Sequence, residues 1–222
     1  MGYWGNKWGI FLQNQRRLAF TLCEILIVLG IIGIIAEMTI PDLVSNFQKQ
    51  VTVTRLEQTY SMLQQVIKLS EIDNGPVSTW DFSPGAGGTI QGSHAFFDTY
   101  FKPYFVNPKF CSEGGSDYTC GRPVSNSGIN YMLNNGVGFS TLHIAGQTHI
   151  LIDLNNAKGP NSIGKDVFYF LLLPDDNGLR PYGYVKGMTR ASIISQCIPT
   201  DKLMCTALIM FDGWQIADDY PW

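Results

Sequence analysis

Residues 20–41 read FTLCEILIVLGIIGIIAEMTIP, and this stretch decides how the rest of the chain is organised. Between Phe20 and Ile40 it is interrupted by only two charged residues, Glu24 and Glu37. As a helix it would extend about 30 Å, which is the thickness of the hydrocarbon core of a bilayer. We therefore predict a membrane-spanning helix over residues 20–40.

The residues before this helix predict its orientation. Arg16 and Arg17 precede it, and basic residues beside a membrane helix favour the cytoplasmic side. Everything after Pro41 is then expected to lie outside the cytoplasm. A secretory signal carries its small cleavage residue after the apolar run, whereas here the small Ala19 comes before it. A cut after Ala19 would remove the basic leader and keep the apolar helix as the new N-terminus.

The sequence RRLA-FTLCEILIVLGIIGIIAEMTIP resembles the prepilin signal of type IV pilins, type II secretion pseudopilins and competence pseudopilins. The likeness spans residues 16–41 and includes Phe20 as the first mature residue, the acid Glu24 and the helix proline Pro41. It implies that a prepilin peptidase cleaves between Ala19 and Phe20 and methylates the new amine of Phe20. Two features depart from the pattern: alanine replaces the usual glycine before the cut, and the leader is long and rich in aromatic residues.

The resemblance also implies a function, partners and a location. The chain would be a structural subunit of a type IV pilus or a type II secretion pseudopilus, or alternatively a minor tip subunit whose head binds a substrate, surface or DNA. Its partners would be other pilin or pseudopilin subunits, the prepilin peptidase and an inner-membrane assembly platform, with nucleic acid expected only for a DNA-uptake pilus. It would cross the bacterial inner membrane once, with its head in the periplasm or outside, before entering the filament.

Four residues of the predicted helix are candidates for a role in assembly. A carboxylate near the start of a membrane helix is costly unless it is paired or interfacial. By resemblance, Glu24 neutralises the amine of Phe20 in a neighbouring subunit; the competing interpretation is an interfacial side chain that reaches water. Gly30 and Gly33 permit close packing between helices, with flexibility as the alternative. Pro41 cannot donate its amide, so we expect it to kink or locally open the helix.

After Pro41 the chain is predicted to continue as an amphipathic helix and then to form a head. Apolar residues recur at helical spacing to about Ile72, and Asn74-Gly75-Pro76 is a helix-ending sequence. The apolar positions are Phe47, Val51, Leu56, Tyr60, Leu63 and Ile67. The predicted boundaries are a leader at 1–19, a membrane or filament-core helix at 20–40, an amphipathic continuation at 41–73 and a head at 74–222.

Within the head, alternating and apolar runs predict strands at Val137–Ile144, His149–Leu154 and Val167–Leu173. The first two are joined by a hairpin turn over residues 145–148. Residues 84–92 are glycine-rich and predict a loop. The aromatic segment 98–108 is expected to pack the head against the helix. The predicted fold class is α+β, with a long N-terminal helix packed on an antiparallel sheet, as in pilins.

Four cysteines of the head fall in two close pairs, which favours an oxidising compartment. Four cysteines allow three connectivities, and pairing Cys111 with Cys120 and Cys197 with Cys205 costs the least loop-closure entropy. Free buried thiols are the alternative, and the spacings do not match a zinc site. The formal charge is −3 overall, and because residues 1–19 contribute +3 from three basic residues, the remainder sums to −6 (−3 minus 3). This balance argues against nucleic acid as the main partner.

No catalytic pattern is found in the sequence, so we expect neither enzyme activity nor a cofactor. The histidines are His94, His143 and His149, and the glycines at 85–92 lack the Lys and Ser or Thr of a phosphate-binding loop. His143 and His149 flank the predicted turn, where a two-histidine metal site competes with the commoner outcome of two partly exposed strand residues.

Calcium is a second metal that the sequence brings into consideration. Residues 153–168 and the final stretch CTALIMFDGWQIADDYPW resemble segments in heads of pilin-like secretion proteins, some of which bind calcium near their C-terminal loops. Asp153, Asn155 and Asp166 offer oxygen ligands for it. The alternative is a turn held by Asx-type hydrogen bonds, since the spacing is not that of an EF-hand loop.

Overall fold

The structure is a computed structural model, and it describes residues 21–83, 90–115, 119–120, 124–144, 146–156, 158–174, 178–198 and 202–222. The chain divides into two compact units, residues 1–45 and 46–222, which are described separately. Helix α1 runs from Leu22 to Asn74. In the first unit its side chains are exposed from Leu22 to Val44, apart from the half-buried Ala36.

In the second unit, α1 buries one face in the hydrophobic core. The buried apolar residues are Val53, Leu56, Leu63, Val66 and Ile67. They recur at helical spacing, so a single stripe of the helix enters the core. The predicted stripe is correct at Leu56, Leu63 and Ile67 and wrong at Phe47, whose side chain is 64% exposed. The helix ends at Asn74, where Gly75 adopts φ +78°, a left-handed conformation that glycine accepts without strain.

The head contains a six-stranded antiparallel sheet in which each strand pairs with the next along the chain. This confirms the α+β class. The strands are β1 (Lys109–Glu113), β2 (Ile129–Met132), β3 (Gly138–Ile144), β4 (Gln147–Asp153), β5 (Val167–Leu173) and β6 (Gly178–Pro181). Strand β5 has the predicted bounds. The predicted turn of β3 and β4 was too long, because Ile144 pairs with Gln147 and leaves only residues 145 and 146 between the strands.

An aromatic layer joins the helices to the sheet. Helix α2 (Ile90–Tyr100) places Phe97 against Tyr131 of β2, with ring centroids 4.1 Å apart. Tyr60 of α1 stacks on Phe170 of β5 at 5.7 Å. Such ring pairs stabilise beyond the apolar area that they bury. The glycine-rich loop prediction was wrong from residue 90 onward, because these residues begin α2; residues 84–89 lie outside the described residues.

The aromatic segment after α2 contacts both the sheet and α1. Phe101 and Phe105 are buried and pack around Phe139 of β3. Tyr104 donates a hydrogen bond to Asp73 at 2.9 Å, so the segment also holds the last turn of α1. Two short helices follow β6, α3 (Arg190–Cys197) and α4 (Cys205–Phe211).

Candidate functional site

The exposed N-terminal part of α1 is the first candidate site. It exposes a continuous apolar surface, and α1 is the one helix among the described residues that is long and apolar enough to cross a membrane. The large apolar side chains exposed in this part are Leu22, Ile25, Leu26, Ile27, Val28, Leu29, Ile31, Ile32, Ile34, Ile35, Met38, Ile40, Leu43 and Val44. An apolar surface of this extent requires a cover, either lipid or other protein.

Glu24 has a hydrogen-bond partner within its own chain. One carboxylate oxygen, Oε2, accepts hydrogen bonds from the backbone N–H and the hydroxyl of Thr21, both at 2.9 Å. In return, the Glu24 backbone N–H donates to the Thr21 hydroxyl at 3.2 Å. This reciprocal arrangement is a capping box, which satisfies backbone donors at the start of a helix. The spacing T-x-x-E was readable in the sequence. Ala19 and Phe20 lie outside the described residues.

The other predicted assembly residues also lie on α1. A Cβ atom built on Gly30 or Gly33 would meet nothing within 4 Å, so the surface of the helix is open at both glycines. Pro41 lies inside α1, so the helix continues past the proline. Cys23, the cysteine outside the two pairs, is free and exposed.

Both disulfides of the preferred pairing are present. Cys111 is bonded to Cys120 and Cys197 to Cys205. The first bond closes a loop against the edge strand β1, where the Thr119 N–H donates to the Cys111 carbonyl at 3.1 Å. The second bond lies in the hydrophobic core between α3 and α4. The first bond therefore joins strand β1 to Cys120, and the second joins the end of α3 to the start of α4.

Asp153, Asn155 and Asp166, the predicted oxygen ligands, come together in the turn between β4 and β5. The Asp166 carboxylate is buried and accepts backbone N–H groups of Asn161 at 2.7 Å and Ser162 at 2.6 Å. The Asn155 amide donates to it as well, at 3.2 Å, while the Asn155 N–H donates to Asp153 at 3.0 Å. No group of three or more His, Cys, Asp or Glu that could hold a metal occurs among the described residues. Calcium binding stays a prediction, and the hydrogen bonds observed are those of the alternative, a turn held by acidic side chains.

We expect replacement of Asp166 by asparagine to lower the free energy of unfolding by about 2 kcal/mol, because the amide cannot accept both backbone N–H groups and one buried donor loses its partner. Denaturant unfolding monitored by tryptophan fluorescence would measure the loss. Asp218→Asn, which changes an exposed acid, is the matched control. Equal stability of the Asp166 and Asp218 variants would contradict a structural role for this carboxylate.

The two hairpin histidines do not form a joint site. His143 pairs with Thr148 and His149 with Leu142, so the two imidazoles lie on opposite faces of the sheet. His143 is fully buried, and the prediction that it is partly exposed was wrong. Its Nε2 donates to the Phe82 carbonyl at 2.7 Å, and its Nδ1 shares a hydrogen bond with Thr148 Oγ1 at 3.0 Å. Sequence alternation could not show that Phe82 packs against His143 on this face.

His149 belongs instead to a half-buried cluster with two tyrosines on the other face of the sheet. Its Nδ1 shares a hydrogen bond with the Tyr169 hydroxyl, and Tyr169 stacks on Tyr182 at 4.3 Å. Burial lowers the pKa of His149, with a smaller effect of His143. Burial also raises the pKa of Tyr169 to about 12. The imidazole and the phenol are therefore both favoured in their neutral forms.

A salt-bridge network that was not predicted holds the C-terminal segment. Arg190, at the start of α3, donates to both carboxylate oxygens of Asp212 at 2.7 and 2.9 Å. It also donates to both oxygens of Asp219 at 2.7 Å. Hydrogen bonds from Arg190 lower the pKa of Asp219. Arg190 is 22 residues from Asp212 and 29 from Asp219, and nothing in the local pattern signals the network.

Comparison with known proteins identifies a family but no activity. A family model described as "Family of unknown function (DUF6613)" matches residues 42–222. No curated protein and no solved structure matches the chain. The matched region comprises the head and the part of α1 that leads into it.

Proposed function

The chain belongs to the family of unknown function DUF6613, whose description assigns no activity, and we propose from the molecule itself that it is a structural subunit of a type IV pilus or a type II secretion pseudopilus. The subunit would be anchored in the bacterial inner membrane by residues 20–40. A prepilin peptidase would cut it between Ala19 and Phe20. It would then assemble with other subunits through α1.

The observation that carries this proposal is the contrast between the two parts of α1. From Val53 onward the helix buries its apolar stripe in a head with a large core of its own. From Leu22 to Val44 it exposes apolar side chains on all sides. A helix that is apolar all round must be covered by lipid or by other helices. A subunit that moves from the membrane into a filament loses its contact with lipid and gains contact with the helices of other subunits.

Two further features support a filament subunit over a protein that stays a monomer in the membrane. The motif RRLA-F precedes the helix, so cleavage would leave a new amine next to its first turn. Gly30 and Gly33 leave an open surface on the helix, which allows close approach of a neighbouring helix.

Processing by the peptidase is the first test of the proposal. When the chain is co-expressed with a prepilin peptidase, we expect the membrane-fraction protein to begin at Phe20, with a methylated amine. N-terminal sequencing and intact mass would measure this. Ala19→Gly should be cleaved at least as fast as the parent chain, and Ala19→Leu should be cleaved far more slowly because leucine exceeds the small side chain expected before the cut. A protein that still begins at Met1 in the presence of active peptidase would refute the filament proposal.

A further inference from the structure

A pocket opens on the face of the sheet that carries His149, opposite to the face on which Tyr60 of α1 stacks. Its volume is about 570 Å³, which is in the range of small-molecule sites. Gln147 and His149 of β4 and Leu171 of β5 form its floor, because these residues share one face of the sheet. Tyr182, which follows β6, lies beside them. We call this concavity the His149 pocket.

Helix α3 and the residues before α4 form the second wall of the pocket. Gln196 lies in the last turn of α3, and Met204 immediately precedes α4. The disulfide between the next residues, Cys197 and Cys205, holds these two wall residues together. Met204 also packs closely on the other wall, since a Cβ atom built on Gly183 would come within 2.9 Å of its Cγ. Covalent and packing contacts therefore form the pocket before a ligand arrives.

Four polar groups of the pocket have unused hydrogen-bonding capacity. Within the described part of the chain, the side chains of Gln147 and Tyr182 form no hydrogen bond, although both are half-buried. His149 Nδ1 is engaged by the Tyr169 hydroxyl, and its Nε2 has no partner among the described residues. Gln196 donates one long hydrogen bond of 3.3 Å to its own helix, and its side-chain oxygen accepts none from the residues described. A ligand can therefore pair with these groups without breaking hydrogen bonds of the fold.

The polar part of the lining favours a ligand that is uncharged and rich in hydroxyl groups. None of the described residues that line the pocket carries a formal charge when His149 is neutral, and burial lowers the pKa of His149 and so favours that form. An ion would lose water here without gaining an ionic partner. His149 Nε2 donates in one tautomer and accepts in the other, and a glutamine amide offers both donors and an acceptor. A hydroxyl group, which donates and accepts, matches each of them.

The aromatic and apolar part of the lining favours a ring that carries C–H groups. Tyr169 stacks on Tyr182 with ring centroids 4.3 Å apart, which fixes the Tyr182 ring at the pocket wall. Leu171 and Met204 add apolar surface beside it. A saccharide ring has hydroxyl groups around its rim and C–H groups on its faces, and such faces pack on aromatic and aliphatic side chains. It therefore matches both parts of the lining.

A peptide matches the same lining less well. Peptides that bind to a sheet commonly pair with the backbone of an edge strand. The floor of the pocket is formed by interior strands, since β4 pairs with β3 and β5 pairs with β6. The backbone groups of β4 and β5 are thus occupied, and recognition in the His149 pocket depends on side chains.

We propose that the His149 pocket binds a neutral saccharide unit. One face of the sugar ring lies against Tyr182, and its hydroxyl groups pair with Gln147, His149 and Gln196. This inference gives the head a binding role beyond the proposed filament function. It concerns residues of the second unit only, and it holds whether or not the chain assembles.

Saturation-transfer difference NMR, which observes the ligand, tests the proposal on the full-length protein. A polyoxyethylene detergent is used, because the headgroups of alkyl glycoside detergents would themselves occupy a sugar site. The probes are the methyl glycosides of glucose, galactose, mannose and N-acetylglucosamine. Methyl glucuronide is the anionic comparison, and a blocked tripeptide of glycine and serine is the neutral peptide. We expect at least one neutral glycoside to bind with a Kd on the order of 1 mM, as for other ligands of about 13 non-hydrogen atoms.

Variants locate the binding in the pocket. Tyr182→Ala should raise the Kd about tenfold, because the sugar loses its aromatic contact. Gln147→Ala should raise it about fivefold through lost hydrogen bonds. Phe110→Ala removes an exposed aromatic ring on β1 and Gln58→Ala an exposed amide on α1, and both should bind like the parent chain. Circular dichroism checks the fold of each variant, and if Tyr182→Ala is unfolded, Gln147→Ala decides.

Three results would overturn the proposal. The first is no saturation transfer to any of the four neutral glycosides at about 20 mM. The second is an unchanged Kd in the folded pocket variants, which would place the sugar elsewhere. The third is binding of the tripeptide or the glucuronide in preference to every neutral glycoside, which would assign the pocket to another class of ligand. Cleavage before Phe20 does not enter this test, so the filament proposal is decided separately.

Discussion

Replacing Glu24 by glutamine is expected to reduce assembled filament by more than about tenfold while cleavage before Phe20 continues, because in the proposed filament an uncharged amide cannot neutralise the new amine of a neighbouring subunit in a low-dielectric environment. Sheared filament quantified against the total membrane pool would measure the loss. The processed subunit should accumulate in the membrane.

Two control variants separate assembly from capping. Thr21→Ala removes the threonine hydroxyl from the capping box but keeps the carboxylate of Glu24. Losing a cap costs about 1 kcal/mol of helix stability, so Thr21→Ala should still assemble. Glu37→Gln removes the other acid of the predicted span and should assemble as well. If Thr21→Ala abolishes filament assembly as completely as Glu24→Gln does, the role of Glu24 is to cap the start of the helix within its own subunit.

Replacing Cys197 and Cys205 by alanine is expected to lower the free energy of unfolding by about 4 kcal/mol. In the chain-entropy model, a disulfide that closes a loop of this length stabilises the fold by about 2.6 kcal/mol, because it restricts the unfolded chain. Removing two sulfur atoms from the core adds a loss of packing. Both cysteines are fully buried in the core. Denaturant unfolding of the full chain in detergent, followed by tryptophan fluorescence, would measure the change.

The other disulfide is the natural comparison. Cys111 and Cys120 are separated by 9 residues, against 8 for Cys197 and Cys205, so the loop-closure contributions are nearly equal. Cys120 is only half-buried, and replacing this pair by alanine should therefore cost less, about 2 to 3 kcal/mol. A larger loss for the Cys111–Cys120 pair would show that packing in the core is not what distinguishes the two bonds.

The parts of the fold that sequence analysis predicted are those with strong local patterns. The apolar run, the helix end before Gly75 and strand β5 follow from periodicity and from the conformational limits of glycine and proline. The short strands β1, β2 and β6 were not predicted, because four or five residues carry too little pattern to separate strand from loop. Helix α2 was also missed, because its start adjoins a glycine-rich stretch and Gly92 lies within it.

In the candidate sites too, only features with a local sequence pattern could be predicted. The T-x-x-E spacing at Thr21 was local and could have predicted the capping box. The network of Arg190 with Asp212 and Asp219 could not be predicted, because it joins residues that only the packing of α3 against the C-terminal segment brings together. The opposite orientation of His143 and His149 follows from strand register, because His143 pairs with Thr148 and the next residue of that strand, His149, points to the other face.

The sequence by itself determined that a long apolar segment follows Arg16 and Arg17, that a helix ends before Gly75, and that four cysteines fall in two close pairs. These features depend on composition and on spacing along one segment, and no partner from elsewhere in the chain is needed to recognise them. Only the tertiary structure decided which face of α1 enters the core and which backbone groups the Asp166 carboxylate accepts. These features depend on tertiary contacts between residues that are far apart in sequence. A local sequence pattern does not specify such contacts.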